Sequence, residues 1–195
     1  MHDIQTFLST HQPKNGRFFT IAIDGRGGSG KSSLVEYLKP LLPDFVMLNG
    51  DDYFEPVENQ AVWGDFNDER FIADVIEPLK SGSTFVYRPY DWHTVPNITE
   101  KHITVEKGIC FERCFSFSFD LDWDLKIWVE TPPEVCLERG LARENMPHDR
   151  VLGAWHTWQT AEDEYIRTFK PQERADIVLD GTKPLESIQT REETA

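Results

Sequence analysis

A glycine-rich segment near the N-terminus constrains the fold of this chain more than any other feature. Residues Phe18 to Asp24 form a run of aromatic and β-branched residues, which predicts a buried strand. Residues Gly25 to Ser32 follow and match the pattern G-x-x-x-x-G-K-S/T, and apolar residues then recur at helical spacing from Leu34 to Leu38. A phosphate-binding loop requires this order of strand, glycine-rich turn and helix. A glycine-rich turn that binds nothing is the weaker interpretation.

The residue types in this loop suit a nucleoside triphosphate. Glycines let successive backbone N–H groups point at one anion, and the N-terminus of the helix adds a partial positive charge. We expect Lys31 to reach the terminal phosphates and the Ser32 hydroxyl to hold Mg²⁺, so the predicted cofactors are ATP and Mg²⁺. The predicted nucleotide-binding residues are Gly25, Arg26, Gly27, Gly28, Ser29, Gly30, Lys31, Ser32 and Ser33.

Composition limits the partners of the chain. Its 195 residues suffice for a single domain over 1–195, and its formal net charge of −14 argues against a nucleic-acid partner. No stretch has the length of a membrane span or the pattern of a signal peptide. Cys110, Cys114 and Cys136 show no metal-ligand spacing, which predicts free thiols in a reducing cytoplasm. The oligomeric state stays open, a homo-oligomer included.

Strands and helices alternate along the rest of the chain. Hydrophobic runs predict strands near 45–48, 108–111, 124–130 and 177–179, separated by helical patterns at 67–80, from 133 onward and at 150–170. This alternation predicts an α/β fold with a mostly parallel sheet, which we expect to have five strands. Two β-like runs, 84–87 and 102–105, predict a β-hairpin excursion from the sheet, an insertion of about 83–106.

Two adjacent carboxylates follow the second predicted strand. Asp51 and Asp52 come directly after the run from Phe45 to Leu48. Ligands of open α/β sheets bind outside the carboxyl ends of the strands, so this pair is well placed for chemistry. The alternative is a solvated turn, because aspartate is common in turns.

A pair of arginines indicates a lid. Arg139 and Arg143 stand one helical turn apart, and Arg150 follows after a proline-containing stretch. Arginines on a helical lid, here about 139–150, could close over phosphates during transfer. Alternatively they pair with Glu138 and Glu144 on a solvated face.

From about Phe18 to Gly181 these features resemble the uridine kinase and phosphoribulokinase family of P-loop kinases. The resemblance implies the P-loop NTPase fold, a three-layer α/β/α sandwich. It also implies an ATP-dependent phosphotransferase acting on a hydroxyl group of a small molecule, first of all uridine or cytidine. The residues that it implies for catalysis are Lys31, Asp51, Arg139 and Arg143, with Asp51 as the base for the acceptor hydroxyl. The metal residues implied are Ser32, Asp51 and Glu112.

The resemblance extends to an acceptor site. Tyr90-Asp91-Trp92 is similar to the family's Tyr-Asp-aromatic segment, which contacts the acceptor base, and His93 is similar to a nearby histidine. Asp65 stands where the family often has an acidic residue for the sugar hydroxyls. The implied acceptor-binding residues are Asp52, Tyr53, Asp65, Tyr90, Trp92 and His93.

Departures from the family pattern leave the acceptor open. The family's Glu-Gly pair at the end of the third strand is Glu112-Arg113 here, and Glu106-Lys107-Gly108 is a rival match. Another acceptor, such as a vitamin precursor, a ribosylated compound or a sugar, is one alternative. A regulatory NTPase without a second substrate is another, although no N-K-x-D motif of a switch GTPase is present. Preference for ATP over GTP is likewise open.

Overall fold

A computed structural model describes residues 2–55, 65–89, 100–143 and 148–185. The strands in these ranges are β1 (Phe19–Gly25), β2 (Phe45–Asn49), β3 (Phe54–Glu55), β4 (Asp65–Phe66), β5 (Thr84–Tyr87), β6 (Lys101–Thr104), β7 (Gly108–Glu112), β8 (Leu125–Glu130) and β9 (Ile177–Asp180). The α-helices are α1 (His2–Thr10), α2 (Lys31–Leu38), α3 (Asp68–Phe71), α4 (Glu77–Ser81), α5 (Pro133–Arg143), α6 (His148–Phe169) and α7 (Pro171–Arg174). A π-helical segment, Ile72–Ile76, joins α3 to α4.

The main sheet confirms the predicted α/β architecture. In the described part of the chain it has five strands in the order β2-β7-β1-β8-β9, and every pairing is parallel. The central strand β1 is covered on both faces, and Ile21, Ala22 and Ile23 are all fully buried. This explains why the residues from Ile21 to Ile23 are all apolar and do not alternate with polar ones.

Two hydrophobic cores lie on opposite faces of this sheet and account for its three layers. Ile21 and Ile23 belong to the core that contains Leu34 of α2 and Ile4 of α1. Ala22, which points to the other face, belongs to the core beneath the helical segment from Asp68 to Ser81 and beneath α6. Helices therefore cover both faces of the sheet, as the sequence predicts.

The predicted hairpin excursion is present as a separate two-stranded antiparallel sheet. Thr84 of β5 pairs with Thr104 of β6, and Tyr87 pairs with Lys101 at the far end. Another short antiparallel pair, β3 with β4, was not predicted, because strands of two residues show no periodicity. None of the described helices is long and apolar enough to cross a membrane.

The parallel order fixes where a ligand site forms. The carboxyl ends of β1, β2 and β7 lie side by side, since Glu112 pairs with Ile23 on one side and with Asn49 on the other. The glycine-rich loop leaves β1 at this edge, and Asp51 leaves β2 there. The fold thus brings the two candidate functional segments together at one edge of the sheet.

Candidate active site

The glycine-rich loop adopts a backbone that only glycine fits well. Gly28 has φ +76° and Gly30 has φ +108°, both in the left-handed region. A β-carbon on Gly28 would also lie 2.4 Å from the carbonyl oxygen of Cys136. The close approach of α5 to the loop therefore leaves no space for a side chain at Gly28.

The end of the loop offers hydrogen-bond donors to an anion. Helix α2 begins at Lys31, and its N-cap residue, Gly30, has no side chain that could cap the first turn. The Ser29 hydroxyl is buried and has no hydrogen-bond partner among the described residues. Uncapped amides and an orphaned buried hydroxyl fit a bound phosphate group, so the loop meets the requirements of a triphosphate site.

Lys31 is the buried cation of the site. Its ammonium group donates to the carbonyl oxygens of Gly25 and Arg26, both at 2.9 Å, and to Sγ of Cys114 at 3.3 Å. Burial alone would lower the pKa of Lys31, but the negative groups around it outweigh burial and raise the pKa. They are the carboxylates of Glu112, Asp24 and Glu162, together with Cys114 once its thiol, whose pKa burial raises to about 12, has ionised. The lysine therefore stays charged, which is the state that phosphate binding needs.

Ser32 and Glu112 supply oxygen ligands of the kind that Mg²⁺ prefers. The Ser32 hydroxyl donates to Oε1 of Glu112 at 3.2 Å, and Glu112 is 5% exposed. Burial raises the pKa of Glu112; Lys31 opposes this, and the charge of Asp51 adds to it. Among the described residues no three His, Cys, Asp or Glu side chains cluster as a metal site. A cation here would take its other ligands from phosphate and water, as Mg²⁺ usually does.

The carboxylate turn after β2 separates its two aspartates. Residues Gly50–Tyr53 form a short 3₁₀-helix, capped by Asn49, whose side chain accepts the Asp51 N–H at 2.9 Å. Asp51 is exposed, whereas Asp52 is half-buried and accepts a short hydrogen bond from the Tyr87 hydroxyl. Burial raises the pKa of Asp52, an effect that the Tyr87 hydroxyl partly offsets. Of the two carboxylates, Asp51 is the one open to a ligand.

The two rival acidic positions lie at opposite ends of β7. Glu112 ends the strand beside Ser32, whereas Glu106 is exposed before the strand begins. The structure thus brings Glu112, and not Glu106, to the phosphate-binding loop.

Arg113, which stands where the resemblance implies a glycine, has room for its side chain beside Gly50. A β-carbon on Gly50 would lie 2.6 Å from Cβ and Cγ of Arg113. The Arg113 side chain therefore fits only because residue 50, which follows β2, is a glycine. The guanidinium group stacks 3.4 Å from the centroid of the Phe66 ring and pairs with Asp68 at 3.1 Å. The lack of a side chain at Gly50 thus provides the space that the Arg113 side chain occupies.

The two predicted lid arginines differ in what they contact. The guanidinium group of Arg139 lies over the loop, 3.5 Å from the Gly28 carbonyl and 3.4 Å from that of Ser29. Arg143 is exposed at the end of α5. Residues 144–147 of the predicted lid and the side chain of Arg150 lie outside the described residues.

The predicted acceptor-binding residues are only partly described. Tyr90, Trp92 and His93 lie outside the described residues, and of Asp65 only the backbone, in β4, is described. Tyr53 is 0% exposed, and its ring packs edge-on against Phe71. The structure does not bring Tyr53 to the surface of the site.

Sequence reasoning missed a carboxylate that reaches the loop from α6. Oε1 of Glu162 accepts the Gly27 N–H at 2.7 Å, and Oε2 lies 3.5 Å from the Arg26 guanidinium. Arg26 also pairs with Asp163 at 2.5 Å. The contact joins residues far apart in the chain, so no local pattern predicts it.

A buried aspartate beneath the loop was also missed. Asp24 is 0% exposed and accepts hydrogen bonds from the amides of Gly25, Phe115 and Phe117 and from the Tyr165 hydroxyl. Burial raises its pKa in spite of these bonds. Asp24 ties the start of the loop to the segment after β7 and to α6.

The packing of α6 against α5 depends on a glycine. A β-carbon on Gly140 would lie 2.0 Å from the Trp155 ring. We expect Gly140→Ala to lower the free energy of unfolding by about 2 kcal/mol in urea titrations, because the ring cannot retreat without moving α6. Gly153→Ala is the control: Gly153 is exposed on α6 with nothing within 4 Å, and alanine there should add up to about 1 kcal/mol. Equal stability of both variants would contradict this packing.

Comparison with known proteins agrees with the geometry. No protein-family model matches the chain. A curated uridine kinase from Borrelia garinii subsp. bavariensis is 26% identical over 167 residues, which cover 77% of this chain and 76% of that protein. A solved structure from Bacillus stearothermophilus, described as a possible uridine kinase, is similar with TM-score 0.60 and 16% identity and covers 91% of this chain and 100% of its own.

A second solved structure, a candidate fructose transport system kinase from Silicibacter sp. TM1040, is similar with TM-score 0.58 and 20% identity. The similarity covers 76% of this chain and 84% of that one. At these identities the two structures establish the fold.

The fold and the glycine-rich loop define a P-loop nucleotide-binding protein, and the curated relative is named as a kinase. The predicted resemblance to the uridine kinase and phosphoribulokinase family is confirmed. These similarities, together with the loop, indicate an ATP-dependent kinase that acts on a small molecule.

Proposed function

We propose that this kinase transfers the γ-phosphoryl group of ATP to a hydroxyl group of uridine or cytidine. One observation carries the proposal: the loop after β1 and the exposed carboxylate of Asp51 after β2 flank the same strand, β7, at one edge of the sheet. A phosphate donor and an acceptor hydroxyl bound there would be adjacent. The names of the sequence relatives support a nucleoside as the acceptor.

The residues of the loop would hold the donor. Lys31, kept charged by the anionic groups around it, would move from its carbonyl partners to the terminal phosphates. Ser32 and Glu112 would hold Mg²⁺, which supplies charge stabilisation to the phosphate oxygens. Arg139, already over the loop, would offset charge on the migrating group, with Arg143 following if α5 closes.

Asp51 would act on the acceptor. An exposed carboxylate beside the loop can accept the proton of a hydroxyl group and orient its oxygen toward the phosphate. Strand β5 of the hairpin ends close by, because its last residue, Tyr87, contacts Asp52. Tyr90, Trp92 and His93 follow β5 in the sequence, which supports their proposed role in binding the acceptor base.

A panel of acceptors tests the proposal. ADP formation from ATP would be measured with no acceptor, with uridine or cytidine, and with sugars such as fructose and vitamin precursors. We expect the pyrimidine nucleosides to give the largest increase over the water background. A larger increase with a sugar would favour the alternative acceptor class. No increase with any acceptor would favour a regulatory NTPase.

The Tyr87 hydroxyl provides a test of the carboxylate turn. This hydroxyl bonds Asp52 and receives a hydrogen bond from the backbone of Asn49, so it joins both ends of the turn that carries Asp51. We expect Tyr87→Phe to lower kcat about tenfold and to leave the KM for ATP within about twofold, because the ring remains while the turn loosens.

Tyr37→Phe on α2, which removes a hydroxyl away from the turn, serves as the control and should match the unmodified enzyme. If Tyr87→Phe also left kcat unchanged, the hydroxyl would have no positioning role.

A further inference from the structure

One face of α6 lies against the phosphate-binding loop. The Trp155 ring would be 3.3 Å from a β-carbon on Gly27, and the Tyr165 hydroxyl donates to Asp24 at 2.7 Å. Glu162 lies between these two contacts on the helix. Its carboxylate is therefore held against the loop by its neighbours on both sides.

Glu162 makes the contacts that an anionic ligand of the loop would make. It accepts the Gly27 N–H at 2.7 Å, faces the Arg26 guanidinium at 3.5 Å and is 5% exposed. Burial raises the pKa of Glu162, while the Gly27 amide, Lys31 and Arg26 favour its charged form. The side chain thus occupies donors that belong to the phosphate-binding motif.

Lys31 is likewise bound to groups of the chain itself. An ammonium group has three N–H donors, and here they reach Gly25, Arg26 and Cys114. Sγ of Cys114 is in turn 3.7 Å from Oε1 of Glu162. The lysine, the loop amide and the arginine are therefore all engaged within one internal network.

A carboxylate and a phosphate oxygen cannot share these donors at low cost. One N–H makes one strong hydrogen bond, and two anions in a buried site repel each other. A triphosphate that enters the loop would have to displace the carboxylate or bind beside its charge. Either route reduces the affinity for nucleotide by the free energy of the internal contact.

We propose that Glu162 is an internal competitor for the phosphates of the nucleotide, and that it sets the affinity of the loop by releasing Gly27 and Arg26 when ATP binds. This inference rests on the proposed binding of ATP at the loop. Glu162, which lies on α6 and outside the loop motif, would thereby help to determine the affinity for the nucleotide that donates the phosphoryl group.

Titration calorimetry with the non-hydrolysable β,γ-imido analogue of ATP, in the presence of Mg²⁺, tests the inference. Glu162→Gln keeps an oxygen that accepts from Gly27 but removes the charge, so we expect the Kd to fall about tenfold. The Kd for ADP, which carries less negative charge than the ATP analogue, should fall by a smaller factor. Glu162→Ala, which removes the acceptor as well, should change the Kd in the same direction.

Glu164→Gln is the matched control. It makes the same change of charge on the same helix, but Glu164 is exposed and pairs with Arg167, so its Kd should equal that of the unmodified protein. Unchanged or weaker binding by both Glu162 variants would overturn the inference and leave the carboxylate as a support of the loop. Failure of every protein, the unmodified one included, to bind nucleotide would overturn the proposed function and this inference together.

Discussion

Asp51→Asn should lower kcat by about three orders of magnitude while the KM for ATP stays within about twofold. Asparagine has nearly the same shape, but its amide cannot accept the proton of the acceptor hydroxyl. Asp51 is exposed on a turn whose cap is the side chain of Asn49, so the substitution should leave the turn intact. Steady-state kinetics with ATP and uridine, together with the thermal unfolding midpoint, measure both effects.

Asp44→Asn is a suitable control for that experiment. Asp44 precedes β2, at the end of the strand away from the site, and pairs with Lys107. The control should retain full turnover. If Asp51→Asn also retained it, Asp51 would not be the base, and Asp52 would become the next carboxylate to test.

Lys31→Met should abolish measurable phosphoryl transfer and weaken ATP binding about a hundredfold. Methionine fills similar space but carries no charge, so the terminal phosphates lose their buried cation. The change also removes the positive charge of Lys31, which lowers the pKa values of Glu112, Asp24 and Glu162. We therefore expect the variant to be less stable at pH 8 than at pH 6, where protonation relieves part of the repulsion among the three carboxylates, whose pKa values burial raises.

Lys39→Met separates the local effect from a general loss of positive charge. Lys39 follows α2, is exposed and pairs with Glu36, so its replacement should alter neither ATP binding nor turnover. Turnover of Lys31→Met within tenfold of the unmodified enzyme would contradict the role assigned to the lysine.

The parts of the fold that local rules govern were predictable from sequence. The strand, loop and helix around Lys31 follow from a contiguous motif, and the structure places β1 and α2 there. The position of Asp51 follows from the rule that parallel strands end at one edge of a sheet. The hairpin of β5 and β6 follows from two short runs of β-forming residues.

Contacts between distant segments were not predictable in the same way. In the sequence, Glu162 lies on the polar side of a helical pattern, and Trp155 lies on its apolar side and is predicted to be core. Both contact Gly27 only because α6 packs against the loop. The contact of Gly50 with Arg113 is similar, since the two residues follow different strands, β2 and β7, and are far apart in the sequence. A signal did exist in Gly140, a glycine inside a helix that makes room for the Trp155 ring.

Phosphorus NMR of a reaction with ATP, Mg²⁺ and uridine tests the central claim most directly. If the chain transfers the γ-phosphoryl group to the nucleoside, the ATP signals should be replaced by those of ADP and a phosphomonoester in equal amounts. The Asp51→Asn variant should show neither product on the same timescale. ADP with inorganic phosphate, and no phosphomonoester, would contradict the claim and identify the activity as hydrolysis.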